Sequence, residues 1–506
     1  MTTSTPTSSA TSRRGSRPSD SRGRRAVGLV FWMSLIGVAV AGAMIGWWLP
    51  RGPVTSAQAV TVLVLTVIVG VVAGWVTRTR WALPAVPALF VAGFELARAR
   101  VEGPTVDAVR LGDAYGVLAF LAGRGVDALV MLFPLTVAVG LGLAVAAWRG
   151  LRRPPSWPGR IVLVIGTVVV ALLGAALLRP TSTEAITGPD DEPLPGSVTE
   201  LVEVEIGGHD QDIMLRGQDS GAPVLLFLEG GPGGTAIGRI RNSGTALEKD
   251  FVVATWDQRG TGKSYDALEP ASTLTLDQMV DDTVQVSDYL RERFDQNKIY
   301  LVGSSWGTII GVLAAQRAPD KYHAYIGTGQ MVDPFETDQL MYAESLADAQ
   351  AAGQDGRVEQ LQSLGPPPYE DTLAYPIAIA SNPKWMNFEH GAGYNPASEY
   401  PFSLMVGEYT LIEQLRGMAA IAETYSVLYP QLDGTDFRAD VPTLEVPVYL
   451  VEGAYEAAGR ETLARQWFDQ LQAPTKEYIV FEQSGHTPPY DEPGRFASIM
   501  AEIASS

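Results

Sequence analysis

Long apolar segments without charges dominate the first 180 residues and restrict the fold of this part of the chain more than any other feature. A helix of about 20 apolar residues crosses the hydrocarbon core of a bilayer, and an uncharged segment of that length has few other stable environments. Four segments meet this condition, at 26–49, 54–76, 128–148 and 161–178. We therefore predict a membrane region over 26–179, preceded by a disordered basic tail over 1–25 that contains almost no apolar residues.

A fifth segment, 81–97, decides the predicted topology. It is short, contains Pro84 and Pro87 and includes Glu95, so it is either a fifth span or a re-entrant segment. The basic tail and the Arg-rich loop 149–160 both favour a cytoplasmic location. Five spans would then place the C-terminal half outside a bacterial-type cell membrane, whereas four would leave it in the cytoplasm. We favour five.

The two halves of the chain differ in the sign of their net charge. Residues 1–180 contain 18 arginines and six acidic residues, whereas 181–506 contain 19 basic and 50 acidic residues. Such an acidic half argues against nucleic acid as a partner, because a phosphate backbone is neutralised by Lys and Arg. The chain has no cysteine and only four histidines, so disulfides and thiolate chemistry are excluded and we expect no metal or organic cofactor.

The acidic half has the pattern of an α/β fold. Residues 180–196 are polar, acidic and proline-bearing, which predicts a linker. From 197 to 506, short apolar runs such as VLLFLEG, FVVATWD and KIYLVG alternate with helical segments, which predicts a mostly parallel sheet covered by helices. The aromatic-rich stretch 334–435 reads as helices inserted into this fold, and we predict that it forms a cap.

Three signals in this half indicate a nucleophilic hydrolase. The turn Gly230-Gly231-Pro232-Gly233-Gly234 follows a strand, where backbone N–H groups can stabilise a developing oxyanion, although a plain tight turn would explain it equally well. Ser305 lies in Gly303-Ser304-Ser305-Trp306-Gly307, a G-x-S-x-G motif between a strand and a helix, which predicts the nucleophile.

The third signal is His486, which follows the last predicted strand and is the candidate base for Ser305. An acid should orient its imidazole, and Glu456, three residues after the glycine of VPVYLVEG, is the first candidate. Asp333, after the preceding strand, is the alternative.

Four ordered motifs, EGGPGG, WDQRGTGKS, GSSWGT and SGHTPPYDEP, together resemble the proline iminopeptidase branch of the α/β-hydrolase superfamily. The resemblance covers about 200–506 and implies an α/β-hydrolase fold with a helical cap. It also implies an oxyanion hole formed by the N–H groups of Trp306 and Gly231, with Gly230 as neighbour.

The same resemblance implies that Asp257, Arg259 and Gly260 brace the active-site loop.

Two departures from the family pattern concern the substrate. Glu229 stands where the family turn usually begins with His, and the Trp-Glu signature that precedes the amine-binding acids of proline iminopeptidases is missing.

These features predict a membrane-anchored serine hydrolase that cleaves an amide or ester bond of a small peptide or ester. An aminopeptidase is the first expectation, and Glu229, Glu336 and Glu344 are candidate substrate-binding acids. A carboxylesterase or lipid-ester hydrolase is the alternative. A different class, a transporter or sensor with a vestigial hydrolase module, conflicts with the intact Ser, His and glycine turn.

Overall fold

The computed structural model describes residues 20–50, 52–99, 114–379 and 382–505. Within these residues the chain divides into two compact units. One contains most of the apolar helices, in 20–48, 63–99 and 131–170. The other contains 49–62 (except residue 51), 114–130 and the described part of 171–506.

In the part of the N-terminal half that the structure describes, six α-helices precede the acidic half: α1 Asp20–Trp48, α2 Ser56–Thr77, α3 Ala82–Arg98, α4 Ala114–Phe120, α5 Phe133–Trp148 and α6 Trp157–Leu177. Among the described residues, four helical segments are long and apolar enough to cross a membrane, namely Gly28–Trp48, Ser56–Thr77, Gly116–Trp148 and Trp157–Leu177. Helix α3 has 17 residues with Pro87 inside it and is not one of these four. The five-span topology therefore stays a prediction.

Glycines allow the apolar helices of the first unit to pack at backbone distance. A Cβ atom on Gly93 of α3 would lie 2.0 Å from the carbonyl oxygen of Ala39 in α1. One on Gly142 of α5 would lie 2.1 Å from the carbonyl oxygen of Val71 in α2. Small residues at such contacts are typical of helix packing in lipid, where no hydrophobic force drives helices together.

The span was predicted at 128–148, but helical structure begins earlier, at Ala114. Helix α4 and two π-helical turns, Leu121–Gly125 and Ala128–Leu132, precede α5. The structure gives Asp127 a distant partner, since its carboxylate pairs with the guanidinium of Arg416.

The second unit is built on one eight-stranded sheet. Its strands are β1 Val198–Ile206, β2 His209–Gly217, β3 Val224–Leu228, β4 Val252–Trp256, β5 Ile299–Ser304, β6 Tyr322–Thr328, β7 Val448–Gly453 and β8 Lys476–Phe481. They lie in the order β1-β2-β4-β3-β5-β6-β7-β8. Strand β2 is antiparallel to β1 and β4, and the other neighbours are parallel.

Helices cover both faces of the sheet, because its central strands are apolar on both sides. All residues of β3, β4 and β5 are buried. The helices of this unit are α7 Ala236–Ser243, α8 Leu276–Arg293, α9 Trp306–Arg317, α10 Pro334–Ala351, α11 Asp355–Leu364, α12 Ala374–Ile379, α13 Pro383–Met386, α14 Leu411–Leu428, α15 Phe437–Asp440, α16 Ala458–Gln470, α17 Pro488–Asp491 and α18 Pro493–Ser505. Helices α10 to α14 lie between β6 and β7 and form the cap. The predicted α/β-hydrolase fold with a helical cap is confirmed.

The predicted linker is attached to the second unit by specific contacts. Arg216 of β2 donates from Nη1 to the Thr183 hydroxyl (2.7 Å) and the Glu184 carbonyl oxygen (2.5 Å). The Ser182 N–H donates to the Gly407 carbonyl oxygen (3.4 Å). The segment is therefore docked on the domain that it precedes.

Candidate active site

Ser305 lies at a sharp turn between β5 and α9. Its backbone has φ 52° and ψ −119°, a conformation that costs an L-residue strain. Its N–H donates to the Thr328 carbonyl oxygen of β6 (2.9 Å). A Cβ atom on Gly303 would lie 2.5 Å from the Gly307 carbonyl oxygen, and one on Gly307 would lie 2.1 Å from that of Leu228. The motif glycines are therefore required by close backbone approach, as expected for a nucleophile elbow.

The glycine turn after β3 lies directly against this elbow. A Cβ atom on Gly230 would lie 2.9 Å from the Cβ of Ser305. The Gly230 N–H already donates to Oε1 of Glu229 (3.0 Å). Gly231 has φ 125° and lines the same cavity as Ser305. Trp306 is the first residue of α9, and the N–H groups of a helix's first turn have no acceptor within the helix. Gly231 and Trp306 thus lie in the turn and at the elbow where the resemblance implies an oxyanion hole.

Glu229 is bound within the protein. Its carboxylate accepts from Arg239 Nη1 (3.1 Å) and from the hydroxyl of Tyr490, and its side chain is 2% exposed. Its carbonyl oxygen accepts from Nε2 of Gln258 (3.0 Å), whose Oε1 accepts from the indole of Trp306 (3.0 Å). These bonds tie the glycine turn to the elbow, which gives Glu229 structural partners in this site.

The loop after β4 is held by buried polar contacts. Asp257 accepts from the Tyr409 hydroxyl at 2.9 and 3.1 Å, and burial raises the pKa of Asp257 to about 7. Arg259 and Asp282 form a fully buried pair with N–O distances of 2.8 and 3.1 Å. Gly260 has φ 82°, which a side chain would disfavour. These contacts agree with the bracing role that the resemblance implies.

His486 and Glu456 form a hydrogen-bonded pair. Oε2 of Glu456 lies 2.5 Å from Nδ1 of His486, and Oε1 accepts from the Ala457 N–H (2.7 Å). Burial by itself raises the pKa of Glu456, but the charges of His486 and Arg460 outweigh it and lower the pKa to about 2. Glu456 is therefore an anion held against the imidazole, as an orienting acid must be.

Arg460 lies at the same imidazole and was missed by the sequence analysis. Its Nη1 is 2.8 Å from Nδ1 and 3.3 Å from Nε2 of His486, and 3.3 Å from Oε1 of Glu456. Burial and the Arg460 charge lower the pKa of His486, and the Glu456 carboxylate opposes them. The spacing of four residues between Glu456 and Arg460 is the one signal that could have indicated this contact.

Ser305 and His486 lie near each other without a direct hydrogen bond between these two described residues. Ser305 Oγ lies 4.0 Å from the sulfur of Met331. A Cβ atom on Gly329, next to the Thr328 that binds the elbow, would lie 2.6 Å from Cε1 of His486. Catalytic hydrogen bonds are often long before substrate binds, so this geometry is compatible with a serine–histidine pair.

The remaining acidic candidates are engaged elsewhere. Asp333 caps α10 by accepting from the Glu336 N–H (2.9 Å) and pairs with Arg438 (3.4 Å). Glu336 pairs with the same arginine (2.5 Å). Glu344 accepts from the indole N–H of Trp385 (3.3 Å). None of these three carboxylates is in the lining of the cavity at Ser305.

A cavity of about 290 Å³ lies beside Ser305. Side chains of the cap, such as Tyr375 and Ile421, and of the segment 114–130 form most of its wall. Among the described residues that line it, Arg460 has the one charged side chain. No group of three or more His, Asp or Glu side chains in the described part of the chain could hold a metal ion. The cavity therefore offers apolar surface, one cation and the serine.

Comparisons with known proteins found similarity to hydrolases. Residues 223–387 match a family described as alpha/beta hydrolase fold. A probable aminopeptidase from Bacillus subtilis is 28% identical over 312 residues, which cover 61% of this chain and 97% of that protein. A proline iminopeptidase from Heyndrickxia coagulans is 23% identical, with coverage of 57% and 93%. The crystal structure of a proline iminopeptidase-related protein from Thermus thermophilus is 20% identical, covers 61% of this chain and 98% of its own, and has a TM-score of 0.42.

Proposed function

We propose that this chain, which belongs to the α/β-hydrolase superfamily, is a serine hydrolase that cleaves an amide or ester bond through an acyl-Ser305 intermediate. The observation that carries the proposal is the Glu456–His486 pair beside a serine held at a positive φ. Relatives named aminopeptidase and proline iminopeptidase support the hydrolase class.

The proposed reaction begins when His486 Nε2 takes the proton of Ser305 and Oγ attacks the substrate carbonyl carbon. The N–H groups of Gly231 and Trp306 stabilise the resulting oxyanion. The imidazolium then protonates the leaving amine or alcohol, and the acyl group remains on Oγ. A water molecule then gives a proton to His486 and attacks this ester. The tetrahedral intermediate collapses, His486 returns the proton to Oγ of Ser305, and the acid is released.

The position of Arg460 adds one requirement to this series of reaction steps. Its Nη1 is 3.3 Å from the nitrogen that has to accept the serine proton. We infer that the guanidinium moves from this nitrogen when substrate enters, while Glu456 keeps its bond to Nδ1.

Two substrate classes remain candidates within this mechanism. The names of the relatives favour the N-terminal residue of a peptide, released by an aminopeptidase. The cavity favours an ester or amide with an uncharged apolar acyl group, because the described residues that line it include no carboxylate to hold an ammonium. Glu336 and Glu344 would have to leave their present partners to serve an amine.

We also propose that the hydrolase lies outside the cytoplasm, anchored by five spans that include α3. The segment 114–130 packs on the cap helix α14 within one unit, so both lie on the same side of a membrane. This requires an even number of crossings between them, which α5 and α6 supply. The side itself then depends on whether α3 crosses.

Two adjacent serines provide a matched test of the enzyme. Ser305→Ala should lower turnover of amide and ester substrates by about 10⁴–10⁶-fold, as loss of a triad nucleophile does. Ser304, whose buried hydroxyl has no hydrogen-bond partner among the described residues, is the control. Ser304→Ala should retain activity within about an order of magnitude. Equal activity in Ser305→Ala and the wild type would refute the mechanism, whereas no activity in either protein would favour a vestigial hydrolase in a transporter or sensor.

A further inference from the structure

The cavity at Ser305 has a wall that does not come from the α/β-hydrolase domain. Leu118 and Ala119 of α4 line it together with residues of the cap helices such as Tyr425. The sheet, the elbow and the cap all lie after residue 197 in the chain. The cavity is therefore completed by α4, which ends at Phe120, far before the first strand begins at Val198.

The segment 114–130 is anchored to the cap rather than resting loosely on it. It packs against α14. The carboxylate of Asp127 pairs with Arg416 of that helix, and the two residues are 9% and 4% exposed. Ala119, Ala122 and Val126 are buried at spacings of three and four residues, which places them on one face of the helical segment.

The same segment continues directly into an apolar helix. The candidate span Gly116–Trp148 begins within it, and α5 follows without a break in helical structure. The wall of the cavity and a candidate membrane helix are thus one continuous piece of chain. A membrane region that served only as an anchor would not need to contribute residues to the catalytic cavity.

We propose that the segment 114–130 is a specificity element of the active site, and that it selects substrates with an uncharged, extended apolar acyl group. The proposal rests on the hydrolase function proposed above. Because Leu118 and Ala119 line the same cavity as Ser305, the size of their side chains limits how long an acyl group can be buried there. Arg460, which carries the one charge among the described residues of the lining, would repel a substrate ammonium in the same space.

A series of p-nitrophenyl esters from acetate to dodecanoate tests the wall in the full-length protein. For the wild type, kcat/KM should rise about fourfold per added methylene, the factor that burial of a CH₂ group gives, until the cavity is full. Leu118→Trp should shorten the optimal chain and Leu118→Ala should lengthen it. Leu121→Trp is the matched control, because Leu121 is 54% exposed in the same segment and does not line the cavity.

Opposite shifts in the two Leu118 variants cannot arise from poor folding, which would lower all rates together. If all variants show the wild-type chain-length profile, the segment does not determine specificity and the inference is wrong, while the hydrolase function stands. If the wild type hydrolyses no ester or amide and is not labelled by fluorophosphonate, the proposed function itself fails.

A second comparison tests whether the active site discriminates against a positively charged acyl group. The p-nitrophenyl esters of alanine and of propionic acid differ at the acyl group only by the ammonium. We expect kcat/KM for the propionate to exceed that for the alanine ester, after correction for their spontaneous hydrolysis. A preference of tenfold or more for the alanine ester would overturn the proposed substrate class and favour an aminopeptidase.

Discussion

Glu456→Gln isolates the charge that orients His486. The carboxylate lies 2.5 Å from Nδ1, and its side chain is 2% exposed. Burial raises the pKa of Glu456, but His486 and then Arg460 outweigh it and lower the pKa from 4.5 to about 2, which corresponds to a net favourable interaction of the carboxylate with its surroundings of about 3 kcal/mol. Loss of most of that interaction from the imidazolium would slow turnover about 100-fold.

The amide adds a second effect, because its N–H₂ group can donate to Nδ1 and favour the wrong tautomer of His486. We therefore expect kcat to fall by about 10²–10⁴-fold with little change in KM. Steady-state kinetics on the best ester or arylamide measures this. Asp333→Asn is the control, since that carboxylate caps α10 and pairs with Arg438, and it should change kcat far less. A larger loss in Asp333→Asn than in Glu456→Gln would refute the assignment of the acid.

Arg460→Gln should raise the pKa of His486, because the guanidinium is one cause of its lowering, and the acidic limb of kcat/KM should move to higher pH. Arg460→Lys keeps a positive charge and should shift the acidic limb less. An acidic limb at the wild-type pH in Arg460→Gln would show that Arg460 does not act on the base. Because the chain has no cysteine, Ser220→Cys and Ser156→Cys report sidedness with an impermeant maleimide on intact cells. Five spans predict labelling at 220 and protection at 156, and the reverse pattern would mean four spans and a cytoplasmic hydrolase.

The sequence predicted the fold because its signals are local. The strand, turn and helix around Ser305 are contiguous, and each of the motifs that carried the resemblance lies within about ten residues. The positive φ of Ser305 and the close contacts of Gly303 and Gly307 then follow from a short stretch of chain. The roles of Ser305, His486 and Glu456 remain predictions, although the structure brings these residues to one site.

The parts that the sequence did not predict depend on distant pairs. Asp127 pairs with Arg416, which lies 289 residues later in the chain, and nothing near Asp127 in the sequence indicates this partner. Glu229 reads as a substrate-binding acid until its contacts with Arg239 and Tyr490 are known. A charged residue in a sequence carries no sign of its partner, and so neither the docking of 114–130 nor the structural use of Glu229 could be predicted.

The most direct test of the account is the site of covalent labelling. Full-length protein is treated with a fluorophosphonate, digested, and its peptides are analysed by mass spectrometry. We predict a single adduct on Ser305, formed by the wild type and by Ser304→Ala and absent from Ser305→Ala. No adduct at Ser305 in an intact, folded wild-type protein, or an adduct on another residue that survives Ser305→Ala, would contradict the proposed mechanism.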